Sequence, residues 1–166
     1  PIFEMRSSWR AMPLILSFSS LVVRATRSET AAPAFSAKSE AVFLASERRK
    51  QVHIDQMKAA LNDFEMHISS GENDGTVKAD YDFHIAIAEA SANQYFVDFL
   101  KYLGEKIIPR ARVKSIEQSP ENREEYLKAV HHDHVNIFNA IVDQDGLLAR
   151  QMMRAHLSKS IKKFKQ

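Results

Sequence analysis

The sequence predicts an all-α fold, an antiparallel bundle of about six helices. Ala, Leu, Lys and Glu are common, whereas 166 residues include 4 Gly and 5 Pro, a balance that favours helices. Apolar residues recur at helical spacing through most of the chain. Short polar stretches with Gly, Pro or Asn separate these periodic segments, which is typical of helices joined by short loops.

The composition limits the kinds of site that the chain can hold. Hydrophobic residues make up 45% and charged residues 27% of the sequence, which is ordinary for one soluble domain with a substantial core. The net charge is +2, so no strong field is directed at nucleic acid or a membrane surface. There is no cysteine. Any metal site must therefore use His, Asp or Glu.

The first region, residues 1–39, is rich in Ser, Ala and Thr and has no clean period. We expect a partial first helix and then a poorly ordered irregular insertion. The apolar run at 11–23 has the outline of a secretory signal, but Arg24 and Arg27 follow it directly, and the run is too short and too polar to span a bilayer. Because the chain begins with Pro1, we expect it to be a fragment of something longer.

The second region, residues 40–166, carries the helical pattern. Glycines at Gly71 and Gly75 end its first helix, and Asn93 is placed to cap a later one. The predicted helices cover about residues 40–70, 76–90, 94–116, 121–142 and 147–165.

Three histidines on three different predicted helices fall in core-facing stripes. At about 100° per residue, His134 lies in the middle of the apolar stripe of its helix, and His156 shares a face with apolar neighbours. His84 also faces inward, and Asp80 lies four residues before it, so that the two side chains meet on one helix face.

A buried carboxylate without a partner is costly, and a divalent cation would stabilise it while binding the imidazoles. The pattern therefore makes Asp80, His84, His134 and His156 candidate ligands of one metal site. The alternative is a buried hydrogen bond between Asp80 and His84, with the other two histidines as unrelated core residues.

A set of motifs in order along about residues 40–164 resembles the FadR-type C-terminal (FCD) domain of GntR-family transcription regulators. Each motif is weak alone, but the set is specific. The motifs are DYDFH, IAIAEASANQYF, IIPRARV, HVNIFNAIVDQD and ARQMMRAHL.

The resemblance implies a helical domain that binds a small organic acid, is usually dimeric and often holds a divalent metal through one Asp and three His. Carried onto this sequence, those ligands are Asp80, His84, His134 and His156. We expect zinc, and nickel, manganese or iron also suit such ligands. The resemblance further implies a cytoplasmic, non-enzymatic protein with no membrane partner.

The resemblance also implies basic residues beside the effector pocket. Arg110 and Arg112 match a Pro-Arg-x-Arg stretch, and Arg6 resembles the Arg of the family's first helix. Arg binds carboxylates well, although it is usually exposed. Asn93 is a further candidate effector contact, but a helix cap accounts for it better.

The sequence departs from the family pattern at its start. Only a few residues precede FEMR at 3–6, so we expect the family's winged helix-turn-helix to be absent and DNA to be bound only through that module. About thirty unpatterned residues then separate FEMR from the first long helix, which puts the role of Arg6 in doubt.

Two other functions are compatible with parts of the sequence. An HD-type phosphohydrolase would use a His, a His-Asp doublet and a later Asp, but His132 and Asp133 lie off the apolar stripe, and metal ligands must converge. The candidates for that set are His84, His132, Asp133 and Asp145. The other alternative is a metal-free helical dimerisation fragment.

Overall fold

The computed structural model describes residues 31–107 and 120–163. Within these ranges the chain forms six α-helices and no strand, which confirms the predicted all-α class. No helix of these ranges is both long and apolar enough to cross a membrane. The helices are α1 (Ala31–Arg48), α2 (Gln51–Ser70), α3 (Asn73–Ala90), α4 (Gln94–Ile107), α5 (Pro120–Val142) and α6 (Gly146–Lys163).

Contacts between helix ends show how the helices are directed. Arg48, at the end of α1, donates a hydrogen bond to the carbonyl oxygen of Ser91, just after α3. Arg49 donates to the carbonyl oxygen of Val142, the last residue of α5. Gly146, the first residue of α6, packs against the last turns of α1. Successive helices therefore run in opposite directions, and we call the end that holds these contacts the capped end.

One predicted helix, over about residues 40–70, is two helices in the structure. The chain turns at Arg49 and Lys50, where Lys50 has an extended backbone (φ −108°, ψ 166°) and donates its N–H to Nδ1 of His53. This turn lets α1 pack against α6 while α2 packs against α3. The prediction was wrong because the turn lies in a charged run with no Gly or Pro.

The start of α1 also differs from the sequence prediction. The helix begins at Ala31, so that residues 31–39 are helical rather than irregular. Ser39 is fully buried there, and its hydroxyl donates to the carbonyl oxygen of Ser36. Serines favour loops because their hydroxyls form hydrogen bonds with nearby backbone groups. Here such a hydrogen bond forms to a carbonyl of the preceding helical turn, so it is compatible with the helix.

The later helices begin close to their predicted positions. The helix predicted at 76–90 begins earlier, at Asn73, and still ends at Ala90. Asn93 caps α4 as predicted, since its Oδ1 accepts the backbone N–H of Tyr95 at 3.1 Å. The predicted end of α4, near residue 116, lies outside the described residues.

Two apolar clusters form most of the core. The larger one joins α1, α2, α3, α5 and α6 and includes Val42, Met57, Phe83, Ile137 and Ile141. A smaller one joins α2, α3 and α5 around Phe64 and Leu127. A set of polar side chains lies between these clusters and contacts both.

Candidate metal centre

Four buried ionisable residues from three helices meet between the two apolar clusters. Helix α3 contributes Asp80 and His84, α5 contributes His134, and α6 contributes His156. Each is between 0 and 3% exposed. Each lies on the face that its helix buries, because the neighbouring apolar residues on that face pack into the core. We call these four residues the candidate metal centre.

The imidazoles of the candidate metal centre converge on one point. One ring nitrogen from each of His84, His134 and His156 lies within 4.8 Å of the others. The ring of His134 is the middle one, with centroids 5.3 Å from His84 and 4.7 Å from His156. Asp80 lies beside them, with Oδ1 3.4 Å from Nε2 of His134 and 3.9 Å from Nε2 of His84. The structure thus brings together the four residues that the sequence predicts.

The nature and arrangement of these atoms suit a divalent transition metal. Neighbouring nitrogens that each lie about 2.1 Å from an ion are roughly 3.0–3.4 Å apart, so the three imidazoles, whose nitrogens lie within 4.8 Å of one another, would draw closer together on binding. Nε2 of His84 is buried and has no hydrogen-bond partner among the described residues, and such an atom is costly unless something binds it. Three imidazoles and a carboxylate suit zinc, nickel, manganese or iron(II).

The protonation state of His84 also favours metal binding. Burial is the main cause that lowers the pKa of His84 well below its ordinary value. The positive charge of Lys38 lowers it further, whereas Asp80 opposes the shift. The ring is therefore neutral at physiological pH, and a neutral imidazole carries the lone pair that a metal needs.

Two aromatic side chains hold the middle imidazole in place. Phe83, next to His84 on α3, lies with its ring centroid 4.8 Å from that of His134. Phe64 of α2 packs edge-on against the same ring at 5.6 Å. Since the ring of His134 is enclosed by protein, its orientation is set before any ligand binds.

Sequence reasoning missed the role of Asp133. Oδ2 of Asp133 lies 3.6 Å from Nδ1 of His156, and Oδ1 lies 2.7 Å from Nζ of Lys159. Hydrogen bonding from His156, followed by that from Lys159, lowers the pKa of Asp133 to about 2 against the opposing effect of burial. Asp133 lies off the apolar stripe of α5, so only the packing of α6 against α5 reveals this contact.

Lys38 was missed as well. It lies on α1, in the range predicted to be irregular, and its charge acts on His84. The sequence around Lys38 has no clean helical period, so it does not show which way the side chain of Lys38 points.

The remaining predicted site residues are placed elsewhere. Arg6, Arg110 and Arg112 lie outside the described residues. Asn93 caps α4 through the same Oδ1 that an effector would use as an acceptor. The prediction that these four residues contact an effector stays a prediction.

The residues of the alternative phosphohydrolase set do not form one cluster. His132 is exposed, and its Nδ1 lies 3.2 Å from Nδ2 of Asn136. Asp145 is also exposed and accepts the backbone N–H of Leu148 in the first turn of α6. Asp133 faces His156 and Lys159. His132 and Asp145 thus have local contacts at the surface, away from the buried His84.

The fold and the site together define a class, an all-helical domain with three histidines and one aspartate buried in its core. Comparison with known proteins identifies the family. The profile of the FCD domain matches residues 38–159, so the chain belongs to the FCD domain family, as its sequence motifs predict. A curated relative is the HTH-type transcriptional regulator LutR of Bacillus subtilis (strain 168), 27% identical over 124 residues. The alignment covers 69% of this chain, which spans about half (51%) of the relative's length.

Proposed function

We propose that this chain is the ligand-sensing domain of a GntR-type transcription regulator and that it binds a small organic acid at a divalent metal. The metal would be held by Asp80, His84, His134 and His156. One observation carries the proposal, namely that three helices place one imidazole nitrogen each within 4.8 Å of the others in the core. Zinc is the first candidate, and nickel, manganese and iron are the others.

The choice of an organic acid follows from charge. A metal held by one carboxylate and three neutral imidazoles keeps a net positive charge, and an octahedral ion with four protein ligands has two positions left for oxygen atoms. The charge of Lys38, which acts on His84, would favour an anion at the same place. Arg110, Arg112, Arg6 and Asn93 are the further effector contacts that we propose.

The proposed sensing mechanism uses the position of the ligands on different helices. A metal held by these residues would join α3, α5 and α6. Without it, the three helices share one apolar cluster, and the ion pair of Asp133 with Lys159 joins α5 to α6. An effector that binds the metal would bias the packing of these helices by its differential affinity for the two arrangements. In the whole regulator, which we propose to be a cytoplasmic homodimer, a winged-helix domain would pass this change to DNA.

The first experiment measures metal content. Protein purified without an affinity tag would be analysed by mass spectrometry beside His134→Ala and the control His132→Ala, which removes an exposed His of the same helix. We expect near-stoichiometric metal in the wild type and the control, and its loss in His134→Ala. A wild type that takes up no zinc, nickel or manganese would refute the site and leave a metal-free helical fragment.

The second experiment tests the effector. The metal-loaded protein would be titrated calorimetrically with a panel of hydroxy, keto and dicarboxylic acids, and each titration would be repeated after chelation. We expect binding of at least one acid that chelation abolishes. Equal binding before and after chelation would show that the acid does not use the metal.

A further inference from the structure

The contacts of Asp133 extend from the candidate metal centre to the surface of the bundle. Its carboxylate, on α5, faces two residues of α6, with Oδ2 3.6 Å from Nδ1 of His156 and Oδ1 2.7 Å from Nζ of Lys159. The exposed fraction of the side chain rises along this series, from 1% for His156 to 15% for Asp133 and 67% for Lys159.

We propose that Asp133 and Lys159 are positioning residues for the metal site. The Asp133 carboxylate, held by Lys159, fixes the tautomer and ring orientation of His156 so that its Nε2 binds the metal. This inference rests on the proposed metal site and adds two residues that do not touch the metal.

The chemistry of the imidazole ring leads to this role. A neutral imidazole carries a hydrogen on one nitrogen and a lone pair on the other, and an ionised carboxylate can only accept a hydrogen bond. Nδ1 of His156 faces the Asp133 carboxylate, so that nitrogen carries the hydrogen. The lone pair is then on Nε2, at the opposite edge of the ring and buried in the protein. A carboxylate at the second nitrogen also makes an imidazole a better ligand.

Lys159 holds the Asp133 carboxylate so that one of its oxygens stays available to His156. It lies three residues after His156, so the two side chains are on neighbouring positions of one face of α6. Its ammonium group binds one oxygen of Asp133 and leaves the other for His156. The positive charge also offsets that of the carboxylate beside a site that already contains Asp80.

The arrangement predicts two measurable properties. In the metal-free protein, nitrogen chemical shifts of labelled histidine would show His156 as the Nδ1–H tautomer. In Asp133→Asn, where an amide replaces the charged acceptor, this preference would weaken and the zinc affinity would fall by about 10- to 100-fold, as is typical for the outer partner of a metal-bound His. Lys159→Met would show a smaller decrease in zinc affinity, because the carboxylate remains.

The experiment would use the whole chain, with zinc alone as the probe in competition with a chromogenic chelator. The control is Asp143→Asn, which removes an exposed carboxylate just after α5 and should leave both properties unchanged. A thermal melt of each variant without metal separates a general loss of folding from a loss of metal affinity.

The possible outcomes separate this inference from the proposed function. If the wild type binds zinc and Asp133→Asn binds it equally well, the positioning role is refuted and the metal site stands. If the wild type binds no zinc, the metal site is refuted, and the tautomer in the metal-free protein still decides whether Asp133 orients His156. An Nε2–H tautomer of His156 in the wild type would overturn the inference directly.

Discussion

The capped end of the bundle and the candidate metal centre are both buried, but their interiors differ. Near the capped end the interior is mostly apolar, and Val42, Ala45, Ile141 and Ala149 have no exposed surface. The buried hydroxyls of Ser46 and Ser91 are neutral and donate to backbone carbonyl oxygens of the preceding turn. Polar backbone groups there are bonded by Arg48 and Arg49 at the helix ends. In the candidate metal centre, four ionisable side chains occupy the equivalent depth.

The stability of the fold and the proposed metal binding depend on different parts of this interior. Apolar burial stabilises the fold by roughly 1.5–3 kcal/mol for each large side chain, and it needs no partner from outside the chain. Buried ionisable groups are costly when their charges lack compensation. We therefore expect substitutions near the capped end to lower the free energy of unfolding without changing metal content. Substitutions in the candidate metal centre should abolish metal binding with little effect on the stability of the metal-free protein.

The largest expected effect is the stabilisation of the fold by bound zinc, and the Asp80→Asn substitution tests it. Zinc at 100 to 1,000 times its dissociation constant should stabilise the wild type by about 3–4 kcal/mol. In Asp80→Asn we expect this rise to be lost or strongly reduced, and the metal-free protein to be about as stable as the wild type, because asparagine keeps the size of Asp80 and one acceptor oxygen while leaving no charge buried. Thermal melts with and without zinc measure both. A metal-free variant that melts well below the wild type would break the contrast between the two regions.

The next effect is expected from Ile141→Ala in the apolar cluster. Ile141 has no exposed surface, and its truncation should lower the free energy of unfolding by about 3 kcal/mol through lost burial and a cavity. Zinc content should stay that of the wild type. Urea denaturation measures the first quantity and mass spectrometry the second. The neighbouring Val142→Ala, which truncates a partly exposed side chain, should have a much smaller effect.

A smaller loss is expected from Gly146→Ala. A Cβ at this position would lie 2.7 Å from the ring of Phe43 and 2.8 Å from Oγ of Ser46, so α1 and α6 must separate or both side chains must move. We expect a loss of about 1–3 kcal/mol, although alanine is otherwise the better helix former. Combining it with Phe43→Ala should give a loss smaller than the sum of the two single changes. Strict additivity in urea denaturation would show that the clash is not with Phe43.

The smallest effect is expected from Arg49→Ala. The Arg49 guanidinium donates to the carbonyl oxygens of Val142 and Ser46, groups that the ends of α5 and α1 leave without a partner in their own helices. Its loss should cost about 1 kcal/mol in urea denaturation, with no change in zinc content. Arg49→Lys should keep part of this stability, because a cation remains near the end of the helices.

The sequence predicts those features of the structure that are set within a single helix, and it does not predict those that are set by packing between helices. The inward faces of His84, His134 and His156 follow from helical phase alone, since each lies among apolar residues at a spacing of three or four. The turn at Arg49 and Lys50 could not be predicted in this way, because no breaker residue marks it. It exists because α1 and α2 have different packing partners.

Residue patterns alone are enough to predict that the chain is helical, that one Asp and three His face inward, and that its motifs are those of the FCD family. The first two properties are set by residues within one or two turns of each other, and the third by the order of the motifs along residues 38–159. The packing of the helices is what brings the three imidazole nitrogens within 4.8 Å of one another and places Asp133 beside His156 rather than in a separate site. Both depend on how α3, α5 and α6 pack, and the periodicity of a single helix carries no information about the position of its neighbours.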